Sequence, residues 1–472
     1  MTDSATLGKT GYDPVTHQPL TWSDRLDDFR SGTDSPSAYL ERCLATIAAR
    51  EPAVKAWVVL NEAGAKTAAA AATKRWRDGK PLSPIDGMPI GVKDLYMTKD
   101  MPTQMGSPLY AGRSTGEDSA CVQALRLAGA AILGKTVTTE LGFSHPGPTT
   151  NPFDPACTPG GSSSGSAAAI GAAMVPATLG SQVVGSIIRP AGFCANTAIK
   201  PTLGALHRGE RQGLSHSHLG VHAGGVDDLW AVSHAIARFT GGDPGCPGLY
   251  GPEDAPTATA PRRLIVAETE GWALTDDATL TAFEKLLGQV AASGVAIVRR
   301  KGHADLEAFE REITESLVLC RDICGWELRW TLRNLAEKDV TKLSPSMRVR
   351  LEMAEAMTQD DYRAALAKRE TMRSRFRSVA ATADAMITLS SAGPAPLMGD
   401  PNAKGEPGIT HTTGLPAYNA WTSAIGCPAV TVPMLAIGGM PVGVQIVGRH
   451  DDDWRTAGIA RWLKETVAPV SG

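Results

Sequence analysis

An α/β protein whose sheet is covered by helices is the fold this sequence predicts. Three observations carry that prediction. Apolar segments with helical period alternate with short apolar strand-like runs through much of the chain. The 49 glycines and 32 prolines are too many for a helical bundle and suit a protein with many tight turns. A chain of 472 residues, 43% of them hydrophobic, is long enough to bury a large core.

The elements follow in order. Ala38 to Ala49 reads as a helix, and Asn61 to Trp76 as a second, alanine-rich one. Met88-Pro-Ile-Gly-Val-Lys-Asp94 is a strand punctuated by Pro and Gly. Glu117 to Ala128 is an amphipathic helix with acidic residues in its first turn and Gly129 past its end. Ala130 to Lys135 follows as a buried strand. Gly160 to Gly165 is a Gly/Ser loop, Ser166 to Met174 a short helix, and Ala177 to Gly180 a strand opening onto Ser181 to Ser186. Gly241 to Pro261, rich in Pro, Gly and Asp, is a linker. Beyond it come a strand at Leu264 to Ala267, a helix at Asp276 to Ala292 and a strand at Val295 to Val298. His303 to Val379 is mostly helical, and Ala385 to Leu389, Ala429 to Pro433 and Val442 to Val447 return to the sheet.

Composition excludes several classes. A formal net charge of -3 with no basic stripe argues against nucleic acid. Met1 to Leu20 lacks the basic start and apolar run of a signal peptide, and no stretch of about 18 apolar residues suggests a membrane span. The eight scattered cysteines then read as reduced thiols of a cytoplasmic protein. Cys320 and Cys324 would share a helix face and serve packing; no second ligand pair follows at zinc spacing. His216, His218 and His222 lie among glycines that indicate a loop, and lack acidic or cysteine partners at ligand spacing. Neither a metal nor another cofactor is expected. His145, in a Pro-rich loop, is read as a pocket residue and not as the base of a triad.

Hydrolysing an amide requires a nucleophile, a proton shuttle and donors for the developing oxyanion. Three segments supply such groups: Gly91-Val-Lys-Asp94, Pro159-Gly-Gly-Ser-Ser-Ser-Gly-Ser166 and Gly180-Ser-Gln-Val-Val-Gly-Ser-Ile-Ile-Arg-Pro-Ala191. Each alone is weak. The Gly/Ser loop lacks the Gly-Lys-Ser/Thr of a P-loop, and Ser186 lacks the Gly-x-Ser-x-Gly elbow of α/β-hydrolases.

Together and in order, they resemble the amidase signature family. The resemblance runs from about Pro84 to about Val447 and is densest from Asp86 to Pro201. Met101-Pro-Thr103, Gly106-Ser107, Gly134-Lys-Thr136, Asn151-Pro-Phe-Asp-Pro155, Gly426-Cys-Pro-Ala-Val430 and the run from Gly439 to Gly448 add to it. The resemblance implies one amidase unit over 1–472, with a large mixed sheet covered on both faces by helices. Within it, an N-terminal helical segment covers about 1–80, the signature core about 84–230 and a helical cover about 303–380.

Carried onto this chain, the resemblance implies Ser186 as nucleophile, Ser162 as bridging serine after a cis Gly161-Ser162 peptide, and Lys93 as base. A charged lysine cannot be a base, so Lys93 must be buried, which lowers its pKa. The apolar flank Pro89-Ile-Gly-Val92 fits such burial. The backbone N–H groups of Val183, Val184, Gly185 and Ser186 are the implied oxyanion hole. The family often reads Gly-Thr-Asp-Thr-Gly-Gly-Ser at this turn, whereas here Gln182 replaces the acidic residue and Val184 a glycine. A negative φ is therefore expected at Val184, and hydrogen bonds from Gln182 to Arg189 or Ser162.

Gly161, Gln182, Thr138, Leu141 and Phe143, with Leu397, Met398, Tyr418 and Trp421 from the C-terminal region, are the expected substrate-facing residues. They suggest an apolar and aromatic pocket for aryl or acyl amides, esters or carbamates, better than for charged substrates. The expected protein is a monomeric or homodimeric amidohydrolase of a small-molecule amide. Competing readings are the glutaminase subunit of a tRNA-dependent amidotransferase and a catalytically silent ligand-binding protein.

Overall fold

A computed structural model describes residues 9–209, 214–399 and 413–472; the first eight residues of the expected N-terminal segment lie outside the described residues. Among these residues twelve strands form one sheet: β1 (Trp57–Leu60), β2 (Pro89–Lys93), β3 (Ala131–Thr136), β4 (Ala177–Gln182), β5 (Thr197–Lys200), β6 (His218–Ala223), β7 (Arg263–Val266), β8 (Ala296–Val298), β9 (Ala385–Leu389), β10 (Ala429–Ile437), β11 (Met440–Val447) and β12 (Val470–Ser471). Their order is β1-β3-β2-β4-β6-β5-β10-β11-β9-β7-β8, with β12 beside β10. β3, β2 and β4 run parallel, as do β9, β7 and β8; the strands between them pair antiparallel. The sheet is mixed.

Alternation along the strands shows why helices must cover both faces. Leu264 and Val266 pack into one hydrophobic core, while Ile265 between them packs into another. The first core takes helices Ala120–Leu127, Val226–Thr240, Asp277–Ala292 and Asp453–Thr466. The second takes helices Ala304–Ile313, Ser316–Asp339 and Gln359–Ala380. β2 and β4 are buried at every position, including the polar residues Lys93, Ser181 and Gln182 at their carboxyl ends.

Element ends depart from expectation for local reasons. The first long helix spans Pro36–Val54, because Ser35 caps it by accepting the Ala38 N–H and Pro36 sits at its first turn. Helix Ala120–Leu127 starts later than its acidic residues suggest; Asp118 instead accepts the Lys99 N–H at 2.9 Å and pairs with Arg126 at 3.1 Å. His218 and His222 were expected in a loop, and this is corrected: both sit in β6, which pairs with β4 from Ala177 to Gln182. Glycines there let strands approach; they do not break the ladder. Residues 241–261 carry no helix or strand.

Candidate active site

β2 and β4 are parallel neighbours, so their carboxyl ends open on the same edge of the sheet. Lys93 ends β2, and Ser181 and Gln182 end β4. The Gly/Ser loop reaches this edge because helix Ser164–Gly171 is anchored to the sheet. Ser166 Oγ lies 2.7 Å from Thr136 Oγ1 and donates to the Leu179 carbonyl at 2.8 Å. Gly180 permits the approach, since a Cβ there would stand 3.1 Å from Ser163 Oγ and 2.7 Å from His222 Nε2.

The result is a buried polar cluster around one amine. Lys93 Nζ is 2.8 Å from Ser162 Oγ, 3.0 Å from Ser163 Oγ and 2.9 Å from Ser181 Oγ. The peptide Gly161-Ser162 is cis. Among the described residues Lys93 has no ion-pair partner; the adjacent carboxylate, Asp94, pairs instead with Lys135 at 2.8 Å. Lys93 is fully buried, and that burial holds its pKa well below the usual lysine range. A neutral amine has two N–H donors and one lone pair. With the donors directed at Ser163 and Ser181, the lone pair is left for the Ser162 hydroxyl.

Ser186 lies in the turn between β4 and helix Ile188–Phe193. Gln182 holds this turn, though not through the partners expected of it. Its Oε1 accepts the N–H groups of Ile187 at 2.9 Å and Ile188 at 3.0 Å, and its Nε2 donates to Ser423 Oγ at 3.0 Å. Ser423 Oγ in turn donates to the Val184 carbonyl at 3.0 Å. A neutral amide thus fills both acceptor roles open to a carboxylate here, and uses its extra donor on a third segment. Val184 has no positive φ, as expected, and packs its side chain against the second core, which accounts for a valine at this position. The backbone N–H groups of Val183, Val184, Gly185 and Ser186 donate to no acceptor among the described residues.

This network makes a prediction. Gln182→Leu leaves two buried N–H groups without an acceptor and the Ser423 oxygen without its donor, at about 1–3 kcal/mol per unsatisfied group. We expect a fall of several degrees in the thermal midpoint, and loss of activity at temperatures where the variant is still folded.

A cavity of about 70 Å³ opens at Ser186. The turn contributes Val183, Val184, Gly185 and Ser186 to its wall, and the loop before the Gly/Ser segment contributes Gly142, Phe143 and Ser144. The helical cover supplies Leu317, Cys320, Arg321, Cys324 and Arg350; Arg189, Thr413 and Pro416 complete it. A neighbouring cavity of about 400 Å³ shares Phe143, Arg321, Cys324 and Arg350, and continues over Leu328, Leu332, Met353 and Met357.

Of the residues expected to face substrate, Phe143 lines both cavities. Gly161 borders the site only through its carbonyl, which accepts from Arg189 Nη2 at 2.7 Å. Gln182 and Thr138 are buried beside it. Leu141 packs with Leu332, Leu335, Leu343 and Met347. Met398 lines a different cavity with Gly160 and Ser164, and Leu397 is exposed. Tyr418 and Trp421 are fully buried core residues: Tyr418 Oη lies 2.7 Å from Thr275 Oγ1, and Trp421 meets Phe309 edge-on at 5.7 Å. His145 is absent from the cavity wall among the described residues, and its carbonyl accepts the Glu140 N–H at 2.9 Å.

The pocket expected to have apolar and aromatic lining has Phe143, Val183, Val184 and Leu317 in its wall, and three arginines beside them. Sequence reasoning missed Ser163, Ser181, Arg321 and Arg350, and gave Arg189 only as a partner of Gln182. The serines stood inside motifs already singled out. Arg321 and Arg350 are distant in sequence, and no local pattern marks them.

A sequence profile of the amidase family matches residues 38–456, and the chain belongs to that family. A glutamyl-tRNA(Gln) amidotransferase protein of Chloroflexus aggregans, the one designated by the letter A, is 40% identical over 228 residues, covering 47% of this chain and 46% of that protein. The match thus spans about half the length of this relative. A crystal structure of an amidase is 27% identical with a TM-score of 0.79, covering 95% of this chain and 100% of that one. The native peptide amidase of Stenotrophomonas maltophilia, 23% identical with a TM-score of 0.77 over 95% of this chain and 97% of its own, shares the fold. The chain is accordingly a member of the amidase family, built on that family's large mixed sheet. No helix among the described residues is long and apolar enough to cross a membrane.

Proposed function

We propose that this protein is an amidohydrolase that cleaves small carboxamides through an acyl-enzyme on Ser186. The observation that carries the reading is the uncharged environment of Lys93, a buried amine 2.8 Å from Ser162 Oγ with no carboxylate among the described residues to keep it protonated. Lys93 takes the Ser162 proton while Ser162 takes that of Ser186, whose oxygen attacks the amide carbonyl. The unengaged N–H groups of the turn from Val183 to Ser186 receive the oxyanion. The same relay, reversed, hands the proton to the leaving amine, and water then releases the acid. Esters and carbamates present the same carbonyl geometry and fall within this chemistry. Treatment with a fluorophosphonate probe, followed by peptide mass spectrometry, is expected to place the adduct on Ser186. An active protein with Ser186 unmodified would overturn the assignment.

The likeness to the Chloroflexus amidotransferase protein favours a second reading, glutamine hydrolysis within a larger assembly. Free glutamine carries an α-ammonium group, which needs an anion near it. Among the described residues no Asp or Glu lines the cavity at Ser186. Purification as a lone chain that hydrolyses simple amides and not glutamine supports the first reading; glutaminase activity supports the second.

A further inference from the structure

The cavity at Ser186, at about 70 Å³, has room for little more than the reacting amide and the atoms next to it. It does not end there. Phe143, Arg321, Cys324 and Arg350 belong both to its wall and to that of the neighbouring cavity of about 400 Å³, so the two meet along a shared border. Arg350 is held on this border: its guanidinium lies 5.0 Å from the Phe143 ring centroid and donates to Ser144 Oγ at 3.1 Å. The larger chamber lies within the usual span of small-molecule sites.

On helix Ser316–Asp339, Cys324, Leu328 and Leu332 stand four residues apart and face this chamber as one stripe. Helix Pro345–Glu355 packs on that helix and supplies Met353 and Ala354, and Met357 follows just past its end. The carboxylates of the wall are engaged locally: Asp322 Oδ1 accepts from Arg321 at 2.9 Å, and Asp361 Oδ2 accepts the Thr358 N–H and hydroxyl at 2.7 Å each. What is left facing the space is mostly hydrocarbon and sulfur, which reward an apolar group. Gly325 stands in the same wall, in the helix interior, where glycine is weaker than alanine. Nothing in the backbone calls for it: its φ is not positive, and a Cβ would meet Ala354 Cβ and Met357 Sδ at 3.7 Å, an ordinary contact. A missing side chain at this position weakens the helix and keeps space open between the two helices.

We propose that this chamber receives an apolar substituent of the amide cleaved at Ser186, and that Gly325 and Met357 set how long that substituent can be. The proposal rests on the amidohydrolase reading above and narrows its substrate class to amides with an extended alkyl or aryl-alkyl group. The scissile carbonyl sits in the small cavity, and the group passes the border of Phe143 and Cys324 into the larger one. Gly325 and Met357 act on length alone, because neither lines the cavity at Ser186.

The test lengthens the substrate on either side of the scissile bond, with alkanamides from acetamide to octanamide and N-alkylacetamides from N-methyl to N-octyl. In the series whose chain enters the chamber, kcat/KM of the wild type is expected to climb ~3- to 4-fold per methylene, the value of burying one CH₂, and then to level. Gly325→Leu is expected to bring the levelling several carbons earlier and to cut the ratio of longest to shortest member by ~10- to 100-fold. Met357→Ala, which widens the space at the same point, is expected to move the levelling to longer chains; thermal unfolding checks that each variant is folded. Calorimetric titration of the same amides into Ser186→Ala protein, in which turnover is removed, reads the length dependence without chemistry. Rates flat with chain length in both series, or a climb that neither folded variant shifts, overturn the chamber proposal and leave the Ser186 reading standing. Affinity for Ser186→Ala that climbs with length, in a wild-type protein that hydrolyses no member and takes no fluorophosphonate on Ser186, overturns the hydrolase reading and keeps the apolar site.

Discussion

Replacing Ser186 by alanine is expected to reduce amide hydrolysis by roughly 10⁴-fold or more, as removal of a nucleophile does in other serine hydrolases. The substitution deletes one oxygen from a partly buried turn whose support comes from Gln182 and Ser423. Thermal unfolding should therefore stay close to that of the wild type. Steady-state rates on a p-nitroanilide, with circular dichroism on the same sample, separate the two effects. Retention of more than a few per cent of the rate would move the nucleophile elsewhere.

Lys93→Met is expected to be as severe for activity and opposite for stability. Methionine nearly matches the lysine stem in volume and brings no charge to bury. The wild-type amine has its pKa lowered by burial, so the native state holds fewer protons on this group than the unfolded chain does. Stability then rises with pH from the lowered native value up to the ordinary lysine value of about 10.4. Lys93→Met removes that contribution. Denaturant titrations at successive pH values should give it a shallower rise than the wild type across this window. The catalytic sign is the same: kcat/KM of the wild type climbs as Lys93 loses its proton, then levels. Lys93→Arg stays charged and is expected to remain inactive across the range. A wild-type rate falling with pH through this window would remove Lys93 from the role of base.

Much of this was legible in the sequence, because the informative residues are local. Strand and helix runs such as Pro89 to Lys93 and Asp277 to Ala292 are set by periodicity and caps that neighbouring residues supply. Lys93, Ser162 and Ser186 stood in short ordered motifs, and the structure brings Lys93 and Ser162 into contact. What failed was long-range. Tyr418 and Trp421 look like pocket aromatics in sequence, yet each packs into a core that includes residues far along the chain, such as Phe283 for Tyr418 and Phe309 for Trp421. Arg350 reaches the cavity through the packing of helix Pro345–Glu355 on helix Ser316–Asp339, a contact no local window contains. Gln182 shows the same limit at smaller scale: the N–H groups it accepts, from Ile187 and Ile188, lie five and six positions on, but the Ser423 hydroxyl it donates to is 241 positions away.

The polar cluster at Lys93 and the helical part of the cavity wall at Ser186 have different freedom to change. The amine, the serines and the turn ride on β2, β4 and the helix that anchors the Gly/Ser loop, where a slip of one residue would turn Lys93 to the wrong face. Arg321, Arg350, Leu317 and the two cysteines hang from the helices between residues 304 and 380, which contribute no strand to the sheet. Grafting this helical segment between family members should carry part of the substrate preference with it while the reaction stays the same.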